Sequence, residues 1–178
     1  MAVVAAVAAA GLGGLYAFSG GSPPSEADAP PFTAPGTDGK PHSLKGLTEN
    51  GPAVLYFIKE GCPVNHDAAP LMSKLSGAYE NKVNLVGVYN GSVAEAKSWA
   101  KRYGAGYVIL ADPQLKIIRS FRVPYSPYLI SVEKGAKYGS LRGDGTAKNM
   151  EAANKLLASG AGKKLVAVSF KGAPEGGG

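Results

Sequence analysis

The sequence predicts an α/β fold, a mixed-direction sheet flanked by helices and preceded by a transmembrane helix. Three observations carry that expectation. A continuous apolar run at 53–58 and strand-like segments at 83–89 and 107–111 are what strands buried on both faces require. Segments with helical spacing alternate with them, which implies parallel crossovers. Two later runs, 127–132 and 136–142, flank Glu133-Lys134-Gly135 and read as an antiparallel hairpin.

Taken in order, residues 2–18 are an uncharged run of Ala, Val, Gly and Leu closed by Tyr16 and Phe18. At 1.5 Å of rise per residue, about 17 residues barely cover a ~30 Å hydrocarbon core. The aromatic pair fits a membrane interface, and no Lys or Arg follows until Lys40. A retained signal-anchor with the domain outside is the expectation for 1–18, placing the domain in a periplasm or organelle lumen. A cleaved signal peptide is the alternative, although a basic n-region and a clear cleavage site are both missing. Ala5, Ala9, Gly11 and Gly14 would let the anchor pack closely on another membrane subunit. Residues 19–31, rich in Gly, Ser, Pro and acid, read as a flexible linker.

Asp38-Gly39 marks a turn between two short segments. The apolar run at 53–58 feeds a helix over 63–79, in which Pro70 should kink or stretch the first turns. Ser92 with Glu95 three residues on forms a capping box for a helix over 92–103. Pro113 starts a short helix to 121, and 149–158 is the last helix. Residues 165–170 are expected as an extra edge strand, and the Gly-rich end as a loose tail.

The whole chain of 178 residues has 45% apolar and 18% charged residues and a net charge of +6. The first fifty residues are net acidic, so the excess belongs to the domain, scattered over Lys97, Lys101, Arg102, Arg119, Arg122 and others. A solvated face accounts for such scatter; an acidic protein or an anionic lipid surface comes next. Nucleic acid is not expected, since no basic motif interleaved with aromatics appears.

The chemistry converges on Lys59-Glu60-Gly61-Cys62-Pro63-Val64-Asn65-His66. Cys62, the only cysteine, falls at the start of a helix, where free N–H groups and the macrodipole favour a thiolate. Lys59 and His66 lie within a turn and favour the same form. Asn65 stands three residues on, so no disulfide can form within the chain. Cys62 is either a reactive thiol that depends on an external one or an inert relic. Asp67 and Glu60 read as helix-start carboxylates, Gly143-Asp144-Gly145 as a turn. No Ser-His-Asp set, phosphate loop or cofactor motif is present.

Several of these residues together resemble the thioredoxin-like superfamily, in its redoxin, peroxiredoxin-like (AhpC/TSA-type) or membrane-tethered thiol-oxidoreductase branches. They are the Ala29-Pro30-Pro31-Phe32-Thr33 start, Asp38-Gly39-Lys40-Pro41, the strand into Cys62-Pro63, and Ser126-Pro127 before the hairpin. The resemblance implies a thioredoxin-like domain over 32–160, followed by an extension and tail over 161–178. It also implies that Pro127 is the cis proline of the substrate groove. Against that family, Asn65 replaces the resolving cysteine and Gly61 the common aromatic. Tyr56 stands where many members bury an acid, and Lys59 where peroxiredoxins carry Thr. The expected site residues are thus Cys62, Pro127, Asn65, Lys59 and His66. They imply single-thiol exchange or peroxide reduction with an external thiol reductant. A non-catalytic accessory subunit of a membrane complex is the alternative. Copper handling by Cys62 and His66, which share the helical spacing of copper-binding members, is the third reading and lacks a clear third ligand beyond His42 or Met72.

Overall fold

A computed structural model describes residues 27–175. The N-terminal anchor and most of the linker lie outside the described residues. Within them, no helix is long and apolar enough to cross a membrane.

The chain opens with a hairpin, β1 (Thr33–Pro35) and β2 (Pro41–Ser43), whose turn is closed by Gly36 N–H to the Lys40 carbonyl at 2.8 Å. Gly39 takes φ +82 there, which explains the Asp-Gly pair. A single turn, α1 (Leu44–Leu47), is capped by Ser43. Then follow β3 (Ala53–Ile58), α2 (Pro63–Gly77), β4 (Leu85–Tyr89), α3 (Val93–Tyr103), β5 (Ile109–Ala111), α4 (Lys116–Ser120), β6 (Tyr128–Glu133), β7 (Lys137–Asp144) and α5 (Ala147–Gly160). The main sheet runs β5-β4-β3-β6-β7; β3, β4 and β5 are parallel and β6 and β7 antiparallel. The mixed sheet and the thioredoxin-like α/β architecture are as the sequence implied.

β3 is central, so it is buried throughout, and its side chains alternate between two cores. Val54, Tyr56 and Ile58 join the core under α2, α3 and α5, whereas Leu55 and Phe57 join the one under the N-terminal hairpin and α4. Both edges are covered. Thr37 N–H reaches the Ile109 carbonyl (3.0 Å) at the β5 edge, and Tyr138 N–H reaches the Ala27 carbonyl (2.9 Å) at the β7 edge.

The capping box of α3 is present in full, and Gly104 ends that helix at φ +61. α2 continues through Pro70 to Gly77. Three expectations need correction. α4 begins at Lys116, not Pro113, because the buried Asp112 carboxylate accepts from Lys116 N–H (2.8 Å) and Ile118 N–H (2.9 Å) and sets the start. Residues 165–170 form no strand: the segment packs across helices, with Val166 bonded to Tyr79 and Asn154 and Phe170 buried. The segment expected as flexible linker is bound at its end, where Ala29 is buried and donates to the Ala136 carbonyl (2.9 Å).

Candidate functional site

The site forms where β3 runs out. Gly61 takes φ +75, a left-handed turn with open space around it, and swings the chain from β3 into α2. Cys62 is the N-cap of α2, extended at φ −90 and ψ 113, and Pro63 follows at the first helical position. No side chain caps this end. The thiol is half-buried and donates to the Ser126 carbonyl at 3.3 Å. Ser126–Pro127 is a cis bond and Pro127 is buried. The two loops therefore meet at one end of the sheet, as the resemblance implied.

Asn65 is fully buried one turn into α2. Its amide Nδ2 donates to Ser126 Oγ at 3.0 Å and to the Lys59 carbonyl at 3.4 Å, and Ser126 Oγ donates to the Phe57 carbonyl at 2.8 Å. The asparagine, at the position where the resemblance implies a second cysteine, ties three segments together: the end of β3, the start of α2 and the proline loop. Buried amides without such partners are costly, and these bonds meet the Asn65 donor. Ser126 is the member that residue typing underrated; its hydroxyl bonds both strand and helix.

The other expected residues divide. Lys59 contributes its carbonyl to the Cys62 N–H (3.4 Å) and to Asn65, while its side chain is exposed and has no ion pair among the described residues. His66 turns to α3: its Nδ1 bonds the Tyr103 hydroxyl, and its ring lies 5.3 Å from Trp99. His66 is therefore engaged by α3 through Nδ1. No group of three His, Cys, Asp or Glu is placed to hold a metal ion among the described residues. The helical spacing of Trp99 and Tyr103 was the signal for that packing.

Two more contacts hold the loop. Asn90 Oδ1 accepts from Glu60 N–H at 2.8 Å, and the Glu60 carboxylate accepts from the Tyr89 hydroxyl and lies 3.9 Å from Arg102. Burial, then the bond to Glu60, pushes the Tyr89 phenol well above its ordinary range. Behind the site Tyr56 is fully buried; desolvation, helped by Tyr107, Tyr103 and Cys62, raises its phenol strongly. At neutral pH Tyr56 is a neutral phenol, unlike the acid that many relatives bury there.

An N-cap cysteine bonded to the carbonyl before a cis proline, on a mixed sheet of this order, defines a thioredoxin-like redoxin. The AhpC/TSA family model matches residues 26–143, and the chain belongs to that family. Among solved structures it resembles a putative thiol:disulfide interchange protein DsbE from Chlorobium tepidum, at 21% identity over 79% of this chain and 99% of that one, TM-score 0.65. It also resembles the peroxidoxin BcpB from Mycobacterium tuberculosis, at 19% identity over 79% and 97%, TM-score 0.57. A secreted Mycobacterium tuberculosis disulfide oxidoreductase homologous to E. coli DsbE matches at 25% identity over 61% and 80%, TM-score 0.52. No curated protein matches the sequence.

Proposed function

We propose that this chain is a membrane-tethered, extracytoplasmic redoxin that works with one thiol, Cys62, and relies on an external thiol to release it. The carrying observation is Asn65: buried and bonded to Ser126 and Lys59, it occupies the place of a resolving cysteine beside a half-exposed thiol. In exchange, the Cys62 thiolate attacks a disulfide RSSR, giving the mixed disulfide Cys62–S–SR and RS⁻. In peroxide reduction, the thiolate and a proton take oxygen from ROOH, giving Cys62–SOH and ROH. An external thiol RSH then gives Cys62–S–SR and water, and a second RSH restores Cys62 and leaves RSSR.

The tether reading is supported by the uncharged 2–18 run, its terminal aromatics and the delay of basic residues until Lys40. The test is intact-mass analysis of the full-length chain in mild detergent after oxidation by peroxide or disulfide, then addition of a small thiol. One thiol adduct on Cys62, removed by excess thiol and absent in Cys62→Ser, is expected; a chain inert to both oxidants contradicts the reading.

A second reading has one observation in its favour. The same sealed Asn65 network suits a fold retained as an accessory subunit on a membrane complex. That reading predicts stable co-purification that Gly14→Leu in the anchor weakens, together with an unreactive Cys62.

A further inference from the structure

Beside the Cys62 loop is a pocket of about 220 Å³, walled by the end of β3, by Leu115 and Ile118 of the α4 region, and by 123–126. It shares Ser126 with the site: the Ser126 carbonyl accepts the Cys62 thiol, and Ser126 also lines the pocket. A larger cavity of about 440 Å³ between β1 and α4 has no such link to Cys62. We propose that the smaller pocket binds the organic half of a small, monoanionic thiol or its disulfide, and presents its sulfur to Cys62 Sγ across Ser126. The proposal rests on the single-thiol reading above and names its co-substrate class.

Size and charge carry it. Drug-sized ligands occupy ~300–1,000 Å³, so this pocket fits a short body of a few carbons or one ring. Phe57, Ile58, Leu115, Ile118 and Val123 make the wall apolar, with Tyr125, 49% exposed, on the rim. The only charged side chain in the wall is Lys59, which has no ion pair among the described residues, and no carboxylate lines the pocket. Glu60, the nearest acid in sequence, is taken by Tyr89 and Arg102. Asn90 has its Oδ1 bound to Glu60 N–H, which leaves its Nδ2 as a second donor in the wall. Leu115 is held at φ +56, a region a leucine rarely takes, and lines this wall. A cation, a neutral amide donor and an otherwise apolar lining match one anionic group on a short apolar body.

The test compares mixed-disulfide formation on the full-length chain by three disulfides: anionic 5,5′-dithiobis(2-nitrobenzoate), neutral 4,4′-dithiodipyridine and cationic cystamine, with methyl methanethiosulfonate as a minimal reagent. After correction for each reagent's rate with a free thiol, the anionic one should be fastest. Lys59→Gln should cut the anionic-to-cationic rate ratio by about threefold, the scale of one exposed ion pair, while Lys155→Gln on α5 leaves that ratio alone. Val123→Phe should slow the aromatic reagents about tenfold relative to the minimal one. Independently, 3-mercaptobenzoate titrated into Cys62→Ser should shift the methyl signals of Leu115, Ile118 and Val123. Equal corrected rates across charge, a ratio indifferent to Lys59→Gln, or silent methyls would overturn the proposal. A Cys62 inert to every reagent with methyls that still shift would overturn the single-thiol reading and leave the pocket standing.

Discussion

Alternate residues of β3 face two cores, and the two differ in how their polar atoms are met. Under the N-terminal hairpin and α4, Leu55 and Phe57 pack with Leu44, Ile117 and Phe121, and the buried polar groups are bonded. Thr48 Oγ1 donates to the Leu44 carbonyl at 3.0 Å, and Asp112 caps α4. Under α2, α3 and α5 the layer is more polar and incompletely met. The Tyr56 hydroxyl, Ser76 hydroxyl and Trp99 indole N–H are buried without a hydrogen-bond partner. The layer that supports Cys62 is thus the one that tolerates unmet polar groups. Such groups cost about 1–3 kcal/mol each, so stability is concentrated in one face and concessions in the face behind the site.

The largest expected effect tests the better-packed face. Phe121 lies 5.7 Å from Phe57, 6.0 Å from Phe32 and 5.8 Å from Tyr138, centroid to centroid, and is fully buried. Phe121→Ala should cost about 3–5 kcal/mol in urea unfolding. A loss under ~1 kcal/mol would show that this face is not the stability store. Next in size is the network at the site. Asn65→Ala should cost about 1–3 kcal/mol and free the proline loop, read by faster amide exchange at Tyr125, Ser126 and Tyr128. An exchange pattern like that of the wild type would mean that Asn65 does not tie the loops.

Smaller still is a pair of opposite changes on adjacent residues of β3. Tyr56→Phe removes a buried, unpartnered hydroxyl and should stabilise by about 1 kcal/mol; Phe57→Tyr inserts one into the apolar face and should destabilise by at least as much. The same sign for both would erase the contrast between faces.

The smallest effect appears only at high pH. Burial holds the Tyr56 and Tyr107 phenols above their ordinary range, and burial with Glu60 does so for Tyr89. The folded chain therefore keeps protons that the unfolded chain loses near pH ~10. Their contribution is complete below that pH and is lost as pH rises beyond it. Chemical denaturation should show stability falling above pH ~10, less steeply in Tyr56→Phe, and a phenolate absorbance step that coincides with unfolding. Full titration of these phenols in the folded state at their ordinary range would contradict the burial.

Much of this was legible because it was local or periodic. The boundaries of β3 follow from an unbroken apolar run, the α3 cap from Ser92 and Glu95, and the Cys62–Pro127 pairing from the family resemblance. What stayed hidden depends on distant partners. Residues 165–170 look like a strand by hydropathy, yet the β7 edge is already covered by 27–29 and the segment instead bonds Tyr79 and Asn154. Pro113 looks like a helix start, but Asp112, one residue earlier, holds the N–H groups that place it at Lys116. His66 has the spacing to share a face with Cys62, and only the aromatic face of α3 decides that it bonds Tyr103 instead. Asn65 read as the absence of a thiol; its role as a tie required the position of Ser126.

The central claim is that Asn65 stands in the place of the resolving thiol, so that Cys62 depends on an external one. Restoring that thiol tests it most directly. Oxidised with the same disulfide, the wild type should carry one external thiol adduct on Cys62. Asn65→Cys should instead lose two hydrogens, carry no adduct and show, in peptide mass analysis, a disulfide joining Cys62 to the introduced thiol. An Asn65→Cys chain that keeps two free thiols or carries external adducts on them would contradict the account.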